Sequence, residues 1–211
     1  MTVRVVTPPA FYPVTRAQAR LWCRIDAALT AEDAVVDQLI AAMTDFAENL
    51  TGRAFIQRGL QMIVPWWPVI RVEGGMRDGF ELPQAPLVSV ESITYLDSDG
   101  VQQTLAAETY AVHTWREPGI VVRAYGETWP VVRSDADAIR VNYTAGYVYG
   151  SPNGEADQQA VLPPALKVWI EARLTTLYDN RSQLMRDGRV AIPRDFCDGL
   201  LDSLVLGDRI I

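Results

Sequence analysis

The sequence predicts an α+β chain. An N-terminal helical pair and C-terminal helices form a bundle, and a mainly antiparallel β module is inserted between them. Three observations carry this expectation. Apolar and polar residues alternate within Glu81 to Tyr147, as at Val88 and Val90 and again at Ile93 and Tyr95. Turn signals divide that stretch at Asp97–Gly100, Pro118–Gly119 and Asp135–Asp137. On either side of it, apolar residues recur at steps of three and four. Alternation with period two suits a half-buried antiparallel sheet, because successive side chains point to opposite faces. Steps of three and four lay a stripe along one side of a helix.

In chain order, residues 1–14 read as an extended, proline-rich N-terminal arm. Residues 15–53 form the helical part of the bundle. Thr15 and Gln18 match a capping box, and Ala17, Leu21 and Ile25 line one stripe beside Trp22, with the helix ending near Ala28. Thr30 is expected to cap a second helix, with Glu32 and Asp33 in its first turn. Its stripe is Val36, Leu39, Ile40, Met43, Phe46, Ala47 and Leu50, and Gly52 closes it. The short link between these helices predicts an antiparallel pair.

The β module is expected over residues 54–147. Leu60, Met62 and Val64 suggest a strand that stops at Pro65-Trp66-Trp67-Pro68, since proline has no ladder donor. Val69 to Val72 is a second short strand, and the glycine-rich 73–79 stretch is expected to be a loop. Further strands are expected near 88–96, 101–105, 109–113, 119–124 and 138–144. Asp97 to Gly100 is a hairpin turn. Residues 148–162 read as a mobile, glycine- and acid-rich linker.

Residues 163–211 hold the C-terminal helices and an apolar tail. Pro163-Pro164 opens a helix striped by Leu166, Trp169, Ile170, Arg173, Leu174, Leu177 and Tyr178. A polar loop and a last short helix follow, the helix carrying Phe196, Leu200, Leu201 and Leu204 on one face. The tail, Leu204, Val205, Leu206, Ile210 and Ile211, has no evident internal partner.

Composition narrows the function. The chain has 211 residues, 49% of them apolar, enough to bury a core. Its net charge of −7 shows no basic patch of the kind that grips phosphate. Cys23 and Cys197 stand alone, without metal-ligand spacing, and read as buried thiols. The N-terminus has no secretory pattern, and no run approaches the ~18 apolar residues of a membrane span.

Candidate chemistry is thin. His113 is the only histidine and lies in a strand pattern, with no nucleophile motif around any serine. Asp97, Asp99 and Glu108 fail a calcium loop, because Gly100 falls too early and strands flank the loop. Gly74-Gly75 and Gly79 lack the Gly-Lys-Ser/Thr ending of a phosphate loop. Asp135 and Asp137 read as a solvated acidic loop rather than a glycosidase pair. No cofactor is expected. Trp22 and Trp169 sit on helical stripes and are assigned to the core. Trp66, Trp67, Trp115 and Trp129 lie in or near loops, where packing competes with partner contact.

Several pieces together resemble a known family. They are Thr51-Gly52-Arg53, Leu82 to Leu105, Pro118-Gly119, Trp129-Pro130, Ile139 to Tyr147 and Leu162 to Arg181. Their order is similar to that of head-to-tail connector (adaptor) proteins of tailed bacteriophages and gene transfer agents. The resemblance implies a structural virion protein and not an enzyme. It implies a homo-oligomeric ring, dodecameric in that family, beneath the portal protein at the neck of a particle assembled in the host cytoplasm. The ring extends the DNA channel without specific DNA binding and offers a surface to the stopper or tail-terminator protein. The bundle carries ring formation.

The tail residues Leu204, Val205, Leu206, Ile210 and Ile211 are expected to dock the portal, and removing 204–211 is expected to abolish that docking and spare the fold. Trp66, Trp67, Trp115 and Trp129 are candidate inter-subunit or tail-side contacts. A tail-completion or stopper protein of the neck is the adjacent alternative. A glycan-binding β module and an enzyme using paired carboxylates are the alternatives from other classes.

Overall fold

The computed structural model describes residues 1–26, 28–72, 75–147, 162–179 and 199–207. The chain divides into two compact units. The β unit holds residues 1–10 and 56–147, and the helical unit holds 11–55, 162–179 and 199–207. The expected linker, 148–162, lies outside the described residues except for Leu162.

The N-terminal arm is extended, as expected, but it is not separate. Residues Thr2–Thr7 form strand β1, which pairs antiparallel with β2 (Arg58–Val64) from Thr2↔Ile63 to Thr7↔Gly59. Six further strands follow: β3 (Val69–Val72), β4 (Gly75–Leu82), β5 (Leu87–Leu96), β6 (Gln102–Thr104), β7 (Tyr110–His113) and β8 (Gly119–Arg123). The last is β9 (Ile139–Ala145). They make two antiparallel sheets, ordered β1-β2-β9-β5-β6 and β3-β4-β8-β7. Each expected strand appears within about two residues of its expected bounds, because the alternation reports burial directly. Along β9, Ile139, Val141, Tyr143 and Ala145 face inward, while Arg140, Asn142 and Thr144 face out. Both sheets contribute to one core, which includes Leu60, Met62, Phe80, Leu82, Ile93 and Val121.

The glycine-rich stretch is a correction. From Gly75 onward it is strand, not loop; residues 73 and 74 lie outside the described residues. Gly79 explains the misreading. A Cβ there would stand 2.3 Å from the Val121 carbonyl oxygen. The glycine marks a close backbone approach inside a sheet and not a turn. At Gly100 the usual reading holds: φ is +82° in the β5–β6 turn. Asp97 closes that turn. Its Oδ1 accepts the N–H of Val101 at 2.8 Å and of Asp99 at 3.1 Å.

The helical unit contains α1 (Arg16–Trp22), α2 (Asp33–Thr51) and α3 (Pro164–Asp179). Thr15 and Gln18 form the expected capping box on α1. The helix is shorter than expected, however, and turns a different face inward. Cys23 caps it and Arg24 has a φ of +54°. Of the expected stripe, Leu21 is 79% exposed and Trp22 is 46% exposed. Ala19 is buried, Arg20 and Cys23 are half-buried, and the exposed Arg16 pairs at the edge of the contact. Arg16 Nε meets Asp37 Oδ1 at 2.7 Å, Arg20 Nη1 meets Asp33 Oδ1 at 2.6 Å, and Cys23 Sγ lies 3.8 Å from Thr175 Oγ1. The face turned toward α2 thus carries ion pairs in place of the expected apolar stripe.

Thr30 does not cap α2. It opens a 3-10 turn, Thr30–Glu32, and α2 begins at Asp33. Gly52 closes α2 in the left-handed conformation, with its N–H on Glu48 O at 2.8 Å. The buried stripe of α2 is Val36, Ile40, Thr44, Ala47, Glu48 and Thr51. The two threonines donate back to Ile40 and Ala47 carbonyls at 2.8 Å, which satisfies their hydroxyls inside the bundle. Glu48 Oε1 accepts the Phe55 N–H at 2.9 Å. The apolar residues Val35 and Phe46 remain exposed on the flank of the helix. Phe46 stacks one face on the buried Trp169 of α3, 5.8 Å between centroids and 6° between planes.

On α3, Leu166, Trp169, Ile170 and Leu174 are buried. Leu177 is exposed, and the Tyr178 hydroxyl donates to the Glu32 carboxylate. The expected last helix is a 3-10 turn, Asp202–Leu204, within its described part; Phe196 lies outside the described residues. No described helix is long and apolar enough to cross a membrane.

Two outcomes test this account. Gly79→Ala must push Cβ into the Val121 carbonyl or part β4 from β8. It is expected to lower the unfolding free energy by about 1–3 kcal/mol or more in urea titrations. At Asp37, the hydrogen bond from Arg16 holds the carboxyl below its ordinary value. A depressed folded pKa stabilises above the unfolded value and is lost as pH falls through the folded one. The chain is therefore expected to exceed Asp37→Asn in stability at neutral pH. The gap should close as pH drops below about 3.9, the ordinary aspartate value.

Candidate functional site

The four loop tryptophans do not form one site. Trp67 and Trp129 stack 4.6 Å apart with planes 9° from parallel. The Trp67 indole N–H donates to the Pro130 carbonyl at 2.8 Å, and its ring meets Tyr95 at 6.2 Å. Both rings pack against the main core. They clip the loop after β8 onto the β unit, which is a packing role. Trp66 and Trp115 are 66% and 77% exposed. Neighbouring aromatics in the sequence thus divide into a structural pair and two exposed rings.

The two exposed rings lie on separate loops that flank the four-stranded sheet. Trp115 sits in the turn between β7 and β8, just before Gly119, which pairs with Leu82. Trp66 lies two residues before Pro68, whose carbonyl accepts the Gly79 N–H at 3.0 Å. Beside Gly79, Arg123 binds Asp78 at 3.0 and 2.9 Å and closes the rim of the core. Met76 and Asp78 stand on the same side of β4 as the core residues Phe80 and Leu82. The inward-facing pattern therefore runs past the rim, and Met76 and the neighbouring Val69 are exposed there. Tyr125, two residues beyond Arg123, and Val131, one beyond Pro130, are exposed as well. The β unit thus presents several apolar side chains with nothing from the unit over them, a pattern that marks contact surfaces.

At the β7–β8 turn, the His113 ring meets Trp115 edge-on at 6.0 Å, and the Arg116 guanidinium lies 5.9 Å from its centroid. The only histidine therefore supports an exposed aromatic ring. Asp137 pairs with Arg140, and Asp135 takes the Ala136 N–H, so both acids of that loop have local structural work. Burial pushes the Cys23 thiol up from its ordinary pKa, which disfavours the reactive thiolate. Cys197 lies outside the described residues.

The tail expectation also needs correction. Leu204, Val205 and Leu206 are half-buried, and the segment has an internal partner. The Leu206 N–H donates to the Thr51 carbonyl at 2.9 Å, and Arg53 Nε donates to the Leu204 carbonyl at 2.5 Å. The last carbonyls of a helix lack intrahelical donors, so the C-terminal end of α2 recruits the tail. Deleting 204–211 removes these bonds, so it cannot be expected to spare the fold. Ile210 and Ile211 lie outside the described residues. Sequence periodicity misses this tie because both of its acceptors are backbone carbonyls.

The packing pair and the exposed rings are expected to respond differently to truncation. Trp67→Ala should cost at least about 2 kcal/mol of stability. Trp66→Ala and Trp115→Ala should each stay within about 0.5 kcal/mol, as measured by chemical denaturation. Equal costs at all four positions would contradict the division.

No protein-family profile matches the chain, and no curated protein matches it. Solved structures do. A chain in the neck of an empty gene transfer agent particle, computed with C6 symmetry, superposes with a TM-score of 0.74 at 21% identity, covering 100% of this chain and 98% of that one. A chain in the virion of a native gene transfer agent particle gives 0.72 at 22% identity with the same coverage. A chain in the neck of a native particle, computed with C12 symmetry, gives 0.66 at 22% identity and again covers 100% and 98%. The chain therefore has, over its whole length, the α+β fold of chains built into gene transfer agent particles, which is the fold that the resemblance in its sequence implies.

Proposed function

We propose that this chain is a structural component of the neck of a tailed particle, where it acts as a head-to-tail adaptor ring. The observation that carries this reading is the whole-length likeness to chains in gene transfer agent necks, described with C6 and C12 symmetry. A likeness confined to one unit would fit many unrelated assemblies; this one includes both the helical bundle and the inserted β unit.

In this reading the copies form a homo-oligomeric ring under the portal protein. The ring continues the DNA channel and offers its far side to the stopper or tail-terminator protein. An acidic chain suits a channel wall that lets phosphate pass without gripping it. The exposed apolar residues of the helical unit, Leu21, Trp22, Val35 and Phe46, are where copies would bury surface against each other. Trp66 and Trp115 serve as anchors for neighbouring copies or for the next layer.

Portal docking falls to the tail: Leu204, Val205, Leu206, Ile210 and Ile211. Its tie to the C-terminal end of α2 supports this role by holding Leu204 and Leu206 at a fixed place on the helical unit.

Reconstruction of the particle neck tests the reading. The adaptor assignment requires this chain as a ring layer directly against the portal. Placement one layer lower makes it the stopper, and absence from the neck overturns both. Val205→Asp is expected to reduce co-purification with the portal at least tenfold while the variant still unfolds in one cooperative urea transition. Undiminished portal binding by that variant would remove the tail from docking.

A further inference from the structure

We propose that the open edge of β3 in one copy pairs with the open edge of β6 in the next, joining the β units head to tail; this rests on the ring reading above. No described strand lies beyond β3 in the four-stranded sheet or beyond β6 in the five-stranded sheet. Bonding alternates along an antiparallel pair. The Gly79 N–H bond to Pro68 O therefore leaves Val69 and Arg71 with backbone groups directed outward from β3. In the same way, the bonds Leu105 N–H to Ile93 O and Asp97 N–H to Val101 O leave Gln102 and Thr104 directed outward from β6. Each edge thus offers two N–H and two C=O groups at the same two-residue spacing. Open edges of this kind are templates for strand addition.

Charge selects the partner edge. Arg71 and Arg77 are exposed on the β3–β4 ribbon and make no ion pair among the described residues, while Asp78 is taken by Arg123. At the β6 edge, the exposed Asp99 precedes the strand and the exposed Glu108 follows it, neither in an ion pair among the described residues. Pairing β3 with β3 would oppose Arg71 to its own copy. The remaining edges suit it less well: β1 carries Arg4, and β7 runs into Arg116. A contact between two different edges is heterologous, and repeated heterologous contacts close into rings or run on as filaments. The exposed Val69 and Met76 would be covered by the same contact.

The test is charge reversal read by sedimentation of the full chain. Arg71→Glu with Arg77→Glu, and separately Asp99→Arg with Glu108→Arg, are each expected to weaken self-association at least tenfold at low salt. Mixing the two variants in equal amounts should restore it, because each then meets an oppositely charged edge. That rescue cannot come from a misfolded variant. Wild-type assembly that neither double variant weakens, or variants that stay apart when mixed, would overturn the edge pairing and leave the ring reading standing. A wild-type chain that stays monomeric at high concentration would overturn the edge pairing, while the ring reading stands or falls on the chain's place in the particle neck.

Discussion

The pairing of β9 between β2 and β5 is the constraint on which this architecture rests. Residues 58–64 and 87–96 have no direct partner in each other. Both depend on Ile139–Ala145, which arrives only after every other strand has been laid down. The register also sets where the unit begins and ends. Arg58 lies opposite Ala145, so the chain enters and leaves the β unit at neighbouring positions. Gly146 permits that proximity, since a Cβ there would stand 2.6 Å from the Gln57 backbone. Insertion of a sheet module into a helical chain requires adjacent ends, and this pairing supplies them.

A second consequence concerns what the β unit leaves uncovered. Its core is closed on one rim by the Arg123–Asp78 pair, yet β4 and β3 continue past that rim with apolar side chains still on the inward side. A free protomer gains nothing from an exposed Met76, Val69 and Trp66. An assembly does, because burial of apolar surface is non-directional and needs only a surface of matching shape. The helical unit shows the same excess at Leu21, Trp22 and Phe46. Both units therefore look incomplete as isolated objects, which fits a chain that works as one copy among many.

Within the helical unit, one short helix meets its neighbour through polar side chains. On the α2 side of α1, Ala19 is buried, Arg20 and Cys23 are half-buried, and the exposed Arg16 pairs at the edge; carboxylates of α2 and carbonyls of the link between the helices hold the two arginines. Arg20 alone reaches Asp33, the Asp26 carbonyl and the Leu29 carbonyl. A short helix with two well-placed arginines can satisfy several backbone and carboxylate acceptors at once, which an apolar stripe cannot do. The price is an exposed Leu21.

Sequence by itself determined the elements whose cause is local. Capping at Thr15, the left-handed close at Gly52, the Asp97 turn and the alternation along β5 and β9 follow from dihedral preference and from the period of the side chains, both properties of adjacent residues. Tertiary structure alone decided everything that depends on what lies opposite. Gly79 is strand because the Val121 backbone passes close to it. Trp67 and Trp129 are packing while Trp66 and Trp115 are exposed, although all four sit in similar sequence surroundings. The tail lies against α2 because Thr51 O needed a donor. Periodicity describes one element at a time, and these features are set by a second element whose position only the folded chain defines.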